Sequence, residues 1–112
     1  MGEPRLPTHL EASALIRSVE AAGGFAAVLS KGDRDAGAIL ILTIERGGKA
    51  RLWEKLPSVT GPPRYCVTRE QDSDNQQEFS DYISRRIDRD ADSWVVELDI
   101  ANPERFIAEL GR

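Results

Sequence analysis

Four residues, Asp-Arg-Asp-Ala, are spelled twice in this chain: at 33–36 within KGDRDAGAIL and at 88–91 within RIDRDADSWV. Two carboxylates two residues apart in a loop are one way to hold a hard cation such as calcium or magnesium, which takes oxygen ligands. Asp33 and Asp35 form one such pair. Asp88, Asp90 and Asp92, with Asp99 further on, follow the ligand spacing of an EF-hand loop. That match breaks in two places: Ser93 stands where such a loop has its glycine, and the last ligand is Asp rather than a bidentate Glu. The competing reading is that both words are turns, because an Asp side chain bonds its own backbone and tolerates irregular dihedrals. We favour turns and keep Asp88, Asp90 and Asp92 as the candidate metal ligands.

The second candidate is a row of cations. Lys49, Arg51, Trp53 and Lys55 alternate along RLWEKL and its lead-in, so a strand there would put three cations and one indole on a single face. Such a face suits phosphate, an anionic cofactor or single-stranded nucleic acid, by charge and by stacking. Lys31 and Arg34, in the loop that holds the first Asp-Arg-Asp-Ala, extend the same chemistry. The competing reading is a solvated or dimer-contacting face with Trp53 packed under a helix. KGDRDAG lacks the Lys-Ser/Thr ending of a phosphate-binding loop. A net charge of −4 and a pI near 5.0 disfavour nucleic acid. His9 is the only histidine and has no identifiable nucleophile beside it, which argues against a Ser or Cys triad. Cys66 is the only cysteine, so neither an intrachain disulfide nor a Cys-based zinc site is expected. We read it as a core or interface residue of a strand, and expect no cofactor.

The elements that must position these groups follow from periodicity. Thr8-His9-Leu10-Glu11 reads as a capping box. Leu10, Ala14, Leu15, Ile16, Val19 and Ala22 then recur at helical spacing, and Gly23-Gly24 stops a helix over 8–22. FAAVLS, 25–30, predicts a short strand, and 31–36 a polar loop. The run 37–45, with Ile39, Leu40, Ile41, Leu42 and Ile44, predicts a central strand buried on both faces. Arg46-Gly47-Gly48 turns it into a hairpin with 49–56. A three-residue loop sets Glu45 opposite Lys49 and Leu42 opposite Leu52, so charge and apolar pairs agree. Leu40, Leu42, Ile44, Ala50, Leu52 and Leu56 then share one face, with Glu54 as the odd member.

After a Pro/Gly loop at 58–64, residues 65–69 predict a fourth strand and 70–77 an acidic connection. Ser73 or Asp74 caps the next helix, whose inner stripe is Phe79, Tyr82, Ile83, Arg86 and Ile87. Trp94, Val96, Leu98 and Ile100 alternate with Val95, Glu97 and Asp99, which predicts a strand with one wet face. Asn102-Pro103 starts a last helix docked by Phe106, Ile107 and Leu110. The expected fold class is α+β: one domain over 1–112, order α-β-β-β-β-α-β-α, with helices packed on a mostly antiparallel sheet. From the hairpin onward this order resembles part of a GNAT-type acyltransferase. The glycine-rich pyrophosphate loop of such enzymes has no counterpart, since no glycine lies between Tyr65 and Phe79.

A chain of 112 residues with 40% hydrophobic and 30% charged residues has the make-up of an ordinary globular domain. Its N-terminus has no basic segment followed by an apolar one, so no signal peptide is expected, and Leu6 stands where myristoylation wants Ser or Thr. AILILTI is far too short to span a membrane. The reading is a cytoplasmic protein with no membrane partner. Charge is uneven: residues 1–69 carry a net +3, 70–92 a net −5 and 93–112 a net −2.

RLPTHLEASALIRSVEAAGGFAAVLSKGDRDAGAILI, RLWEKLP and FSDYISRRIDRDADSWVVELD together resemble the domain of unknown function family 1491, short bacterial proteins mostly from alphaproteobacteria. The resemblance covers nearly the whole chain, and its most specific blocks hold both Asp-Arg-Asp-Ala words. It implies a bacterial cytoplasmic single-domain protein and brings no activity, cofactor or partner. The function we favour from sequence is a non-catalytic binding or regulatory module that pairs with itself, as a homodimer, or with another protein. The alternative is a small anion binder or enzyme using Lys31, Arg34, Lys49, Arg51, Trp53 and Lys55.

Overall fold

The computed structural model describes residues 6–45 and 49–110. In chain order the elements are α1 (Thr8–Ala21), β1 (Phe25–Ser30), β2 (Ile39–Ile44), β3 (Arg51–Leu56), β4 (Arg64–Glu70), α2 (Gln76–Arg89), β5 (Trp94–Asp99) and α3 (Pro103–Leu110). The five strands form one sheet in the order β1-β5-β2-β3-β4. β5 runs parallel to β2, and the other three pairings are antiparallel. This is the α+β order the sequence predicts. The parallel pair arises because α2 carries the chain back across the sheet, bringing β5 in between β1 and β2.

The sheet has a core on each face. On one face Ile39, Ile41, Trp53, Trp94, Val96 and Leu98 pack against Ala12, Leu15 and Val19 of α1 and Ile107 of α3. On the other, Leu40, Leu42, Ala50, Leu52 and Val95 pack against Phe79 and Ile83 of α2. β2 is thus buried on both sides, as its unbroken apolar run requires. Ile41, Leu52 and Leu98 are fully buried, and each side chain contributes about 2–3 kcal/mol by leaving water. Leu42 lies opposite Leu52, the register of the three-residue hairpin loop. The loop residues themselves, Arg46-Gly47-Gly48, lie outside the described residues.

Several local expectations are corrected. Thr8 does not cap α1. Pro7 occupies the cap position without a side-chain bond, and the Thr8 hydroxyl instead donates to the Gly37 carbonyl at 2.8 Å. That bond buries Thr8 and sets the helix rotation. The inner stripe is therefore Thr8, Ala12, Leu15 and Val19, while Leu10 and Ala22 face outward. Gly23-Gly24 does end the helix. Gly23 has φ 86°, and the amides of Gly23 and Gly24 close back onto Glu20 and Val19, a Schellman ending. The cap of α2 is Asn75, not Ser73 or Asp74: its side chain accepts from the Glu78 amide at 3.2 Å, and its amide group donates to the Glu78 carboxylate. β5 has a wet face only toward its end, because α2 covers Val95 and leaves Asp99 exposed. Cys66 is exposed on the edge strand β4 rather than packed in the core.

Candidate functional site

The two Asp-Arg-Asp-Ala words meet. β2 and β5 are parallel neighbours paired Ile39 to Trp94, so the segments that launch them leave the sheet side by side. The Asp33 amide donates to the Asp92 carbonyl at 2.8 Å, and the Trp94 indole donates to the Asp33 carbonyl at 2.7 Å. The Trp94 amide reaches the Ala38 carbonyl at 2.7 Å. Glycine is required in this junction by close approach: a Cβ on Gly32 or Gly37 would lie 2.2 or 2.0 Å from the Asp92 carbonyl oxygen. The first word also closes the start of α1, since the carbonyls of Asp35 and Arg34 accept from the amides of Thr8 and His9. The His9 ring sits against the same Arg34 carbonyl at 3.1 Å. One loop thus satisfies the orphan amides of a helix and docks on a second turn.

The aspartate side chains are engaged locally. Asp33 accepts from the amides of Asp35 and Ala36, at 3.1 and 2.8 Å. Asp90 accepts the Ser93 hydroxyl at 2.6 Å and lies 3.9 Å from Arg86. Asp88 is exposed on α2, and Asp92 contributes its backbone carbonyl. The structure does not bring Asp88, Asp90 and Asp92 together. Among the described residues, no three His, Cys, Asp or Glu side chains converge as a metal would need.

The candidate cations are dispersed. Lys31 and Arg34 are exposed at the end of the sheet where β2 begins. Lys55, at the far end of β3, shares that end of the sheet and lies over the Tyr65 ring at 5.5 Å. Lys49 and Arg51 lie at the opposite end, where Arg51 meets Glu104 at 2.5 Å and Lys49 meets Glu70 at 3.7 Å. Trp53 is buried between these ends, and its indole donates to the Thr43 hydroxyl at 2.9 Å. Helices α1 and α3 cover that face of β3 and fill the space a stacked ligand would take.

Two adjoining clefts flank Lys55. One, of about 720 Å³, lies between Pro62-Pro63 and Ile107 and Leu110 of α3, and includes Arg64. The other, of about 480 Å³, lies beside Glu11, Gly37 and Ala38. Tyr65 lines both and donates to the Ile39 carbonyl at 2.9 Å. Burial, with a smaller contribution from the Glu11 charge, pushes the Tyr65 phenol up to about 12. On the other face, Arg86 donates to Glu54 at 2.7 Å. That bond holds the Glu54 carboxyl below the usual range and raises Arg86, each against the opposing effect of burial. Glu104 is also lowered, first by its own backbone amide and then by Arg51.

The sheet edges differ in kind. β4, RYCVTRE, is a charged edge preceded by Pro62-Pro63, and charge and proline are the usual guards against strand addition. β1, FAAVLS, is the other edge and has no charged residue. Ala26 and Val28 turn into the core beneath α1. Phe25, Ala27 and Leu29 face out, with Phe25 76% and Leu29 46% exposed. α2 does not reach them, since it covers β2, β3 and only the start of β5. Periodicity locates this strand but not its place at the edge. The available signal was the absence of charge across six residues.

A five-stranded mixed sheet with two helices on one face and one on the other defines a small α+β protein with one charged edge, β4, and one uncharged edge, β1. Residues 6–108 match the family model described as protein of unknown function (DUF1491), and the chain belongs to that family. It is similar to the crystal structure of a DUF1491 family protein from Caulobacter crescentus CB15, at 33% identity over 91% of this chain and 94% of that one, with a TM-score of 0.76. An NMR structure of a DUF1491 family protein from the same organism matches at 31% identity over 94% of each chain, with a TM-score of 0.74. The solution structure of protein Atu0922 from A. tumefaciens matches at 31% identity over 93% of each chain, with a TM-score of 0.72. No curated protein matches the chain. Among the described residues, no helix is long and apolar enough to cross a membrane.

Proposed function

We propose that this protein is a non-catalytic binding or regulatory module of the cytoplasm that acts through protein–protein contacts at the β1 edge. One observation carries the reading: a neutral edge strand with Phe25 and Leu29 exposed, opposite an edge guarded by charge and proline. An unpaired row of backbone donors and acceptors with apolar side chains beside it is the surface that strand addition uses. Proximity labelling in the native cell tests this, with Phe25→Asp set against Val59→Asp. Val59 is fully exposed in the loop before β4, far along the sheet from β1. Partners lost with Phe25→Asp and kept with Val59→Asp support the reading. A labelled set unchanged by both overturns it.

A second reading, a binder of small anions, draws on the clefts beside Lys55, where Arg64 supplies a second cation near apolar walls. Calorimetry with inorganic phosphate and with a nucleoside monophosphate tests it. Heat that disappears in Lys55→Gln supports the site, and no heat at millimolar ligand removes it.

A further inference from the structure

We infer that the occupant of the β1 edge is β1 of a second copy of this chain, paired antiparallel about Ala27, so that two five-stranded sheets join into one. This rests on the protein-binding reading above and names its partner. Three observations point to a second copy rather than an unrelated strand.

The first is self-complementarity of size. A twofold axis at Ala27 sets Phe25 across from the second copy's Leu29 and Ala26 across from its Val28. The largest exposed side chain then meets the other exposed apolar one, and the smallest lies on the axis. Residues directly opposite share a face, so the exposed row of one copy continues into that of the other.

The second is charge. β1 holds no ionisable side chain, so self-pairing opposes no like charges within the strand. Its flanks differ in sign: Lys31 follows the strand, while Glu20 precedes it and Asp99 pairs with Phe25 at its start. An antiparallel twofold brings Lys31 of each copy toward the end of the other that holds Glu20 and Asp99, beside Lys49 and Arg51.

The third is the length of regular strand. The bulge in the β1–β5 pairing falls between Val28 and Ser30, at the end of β1. It leaves Phe25–Val28 in regular pairing with β5 and makes Leu29 the bulged residue, so Ala27 lies within the part of the edge that a second strand can follow.

The test uses the full chain carrying Cys66→Ser, since Cys66 is exposed and would cross-link on its own. Directly opposed residues in an antiparallel pair have Cα atoms about 4.5–5.5 Å apart, within disulfide range. Mild oxidation should convert Ala27→Cys to a covalent dimer and leave Phe25→Cys alone largely monomeric. A mixture of Phe25→Cys and Leu29→Cys chains should cross-link again. Light scattering should show a dimer that Ala27→Lys weakens at least about tenfold, by opposing two ammonium groups on the axis. Circular dichroism establishes that each variant remains folded. A monomer up to about 0.5 mM, with no Ala27→Cys cross-link, overturns the self-pairing. If Phe25→Asp still strips partners in the cell, the partner is another protein and the broader reading stands. If neither assay responds, both fall.

Discussion

The amide of Asp33 donates to the carbonyl of Asp92 at 2.8 Å, tying the first Asp-Arg-Asp-Ala to the residue that follows the second. The two words begin at Asp33 and Asp88, and β2 and β5 begin at Ile39 and Trp94. Each strand therefore starts six residues after the first Asp of its word, and the two starts are paired in parallel register. The words do the same task on neighbouring strands from different settings: one is a loop after β1, the other the last residues and C-cap of α2. Their carboxylates bend their own segments, and their backbones bond to each other.

This junction should reject any side chain at its glycines. Gly37→Ala places a methyl 2.0 Å from the Asp92 oxygen, and Gly32→Ala one at 2.2 Å, both against backbone rather than a movable side chain. Urea unfolding should show each losing about 2–3 kcal/mol, the range for overpacking that forces a backbone shift. Gly61→Ala, with nothing within 4 Å, should change stability by less than about 0.5 kcal/mol.

The same junction should depend on the Trp94 indole N–H. Trp94→Phe keeps much of the ring but leaves the Asp33 carbonyl, in a part-buried bond, without its donor at 2.7 Å. We expect a loss of about 2 kcal/mol from the missing bond and the smaller ring. Thr8→Val, nearly isosteric, removes the hydroxyl bond to Gly37 and should cost about 1 kcal/mol. If the loop and α1 dock as one unit, the double variant should lose less than the two single losses added, as a double-mutant cycle measures.

Element order, the hairpin register and the double-sided burial of β2 were legible because each rests on a periodicity that tertiary contacts reinforce. The Leu42–Leu52 pairing followed from charge and apolar matches alone. Thr8 misled because Thr-x-x-Glu has the spelling of a capping box, yet a long-range acceptor at Gly37 outcompeted the local amides. Trp53 looked like a ligand platform because alternation gives a face but not what covers it; α1 and α3, distant in sequence, do. The Glu54–Arg86 pair was half visible. Glu54 was the odd acid on an apolar strand face and Arg86 the odd cation in a helix stripe, and each accounts for the other. The meeting of the two aspartate words was hidden, since it follows from the parallel placement of β5 beside β2, a matter of topology rather than local pattern.

The Glu54–Arg86 pair should appear in the acid limb of stability. The folded protein holds the Glu54 carboxyl below its ordinary 4.5, chiefly through the Arg86 bond. The unfolded chain therefore takes up a proton first as pH falls. The stabilisation is fully present above about 4.5 and is lost as pH drops through the lower folded value. Glu54→Gln should flatten that limb. Both side chains are under a quarter exposed. A double-mutant cycle at neutral pH with Glu54→Gln and Arg86→Met should therefore give a coupling on the order of 1 kcal/mol. Equal acid limbs in wild type and Glu54→Gln would remove the pair as its cause.

Tyr65 should govern the alkaline limb in the opposite sense. Its phenol is pushed up to about 12 by burial beside the two clefts, so the folded state keeps a proton that the unfolded chain gives up near 10. Folding then binds the extra proton, and the stabilisation, complete below about 10, drains away as pH rises toward 12. Ultraviolet titration of tyrosinate should show a step near 12 that Tyr65→Phe abolishes. The same variant loses the bond to the Ile39 carbonyl, which should lower stability at neutral pH by about 1 kcal/mol. Its stability should also fall less steeply between pH 10 and 12 than that of the wild type. The two losses separate by pH: the missing hydrogen bond acts throughout, whereas the missing titration acts only at the alkaline end. A Tyr65→Phe curve merely offset from wild type, with the same alkaline slope, would assign the fall to another group.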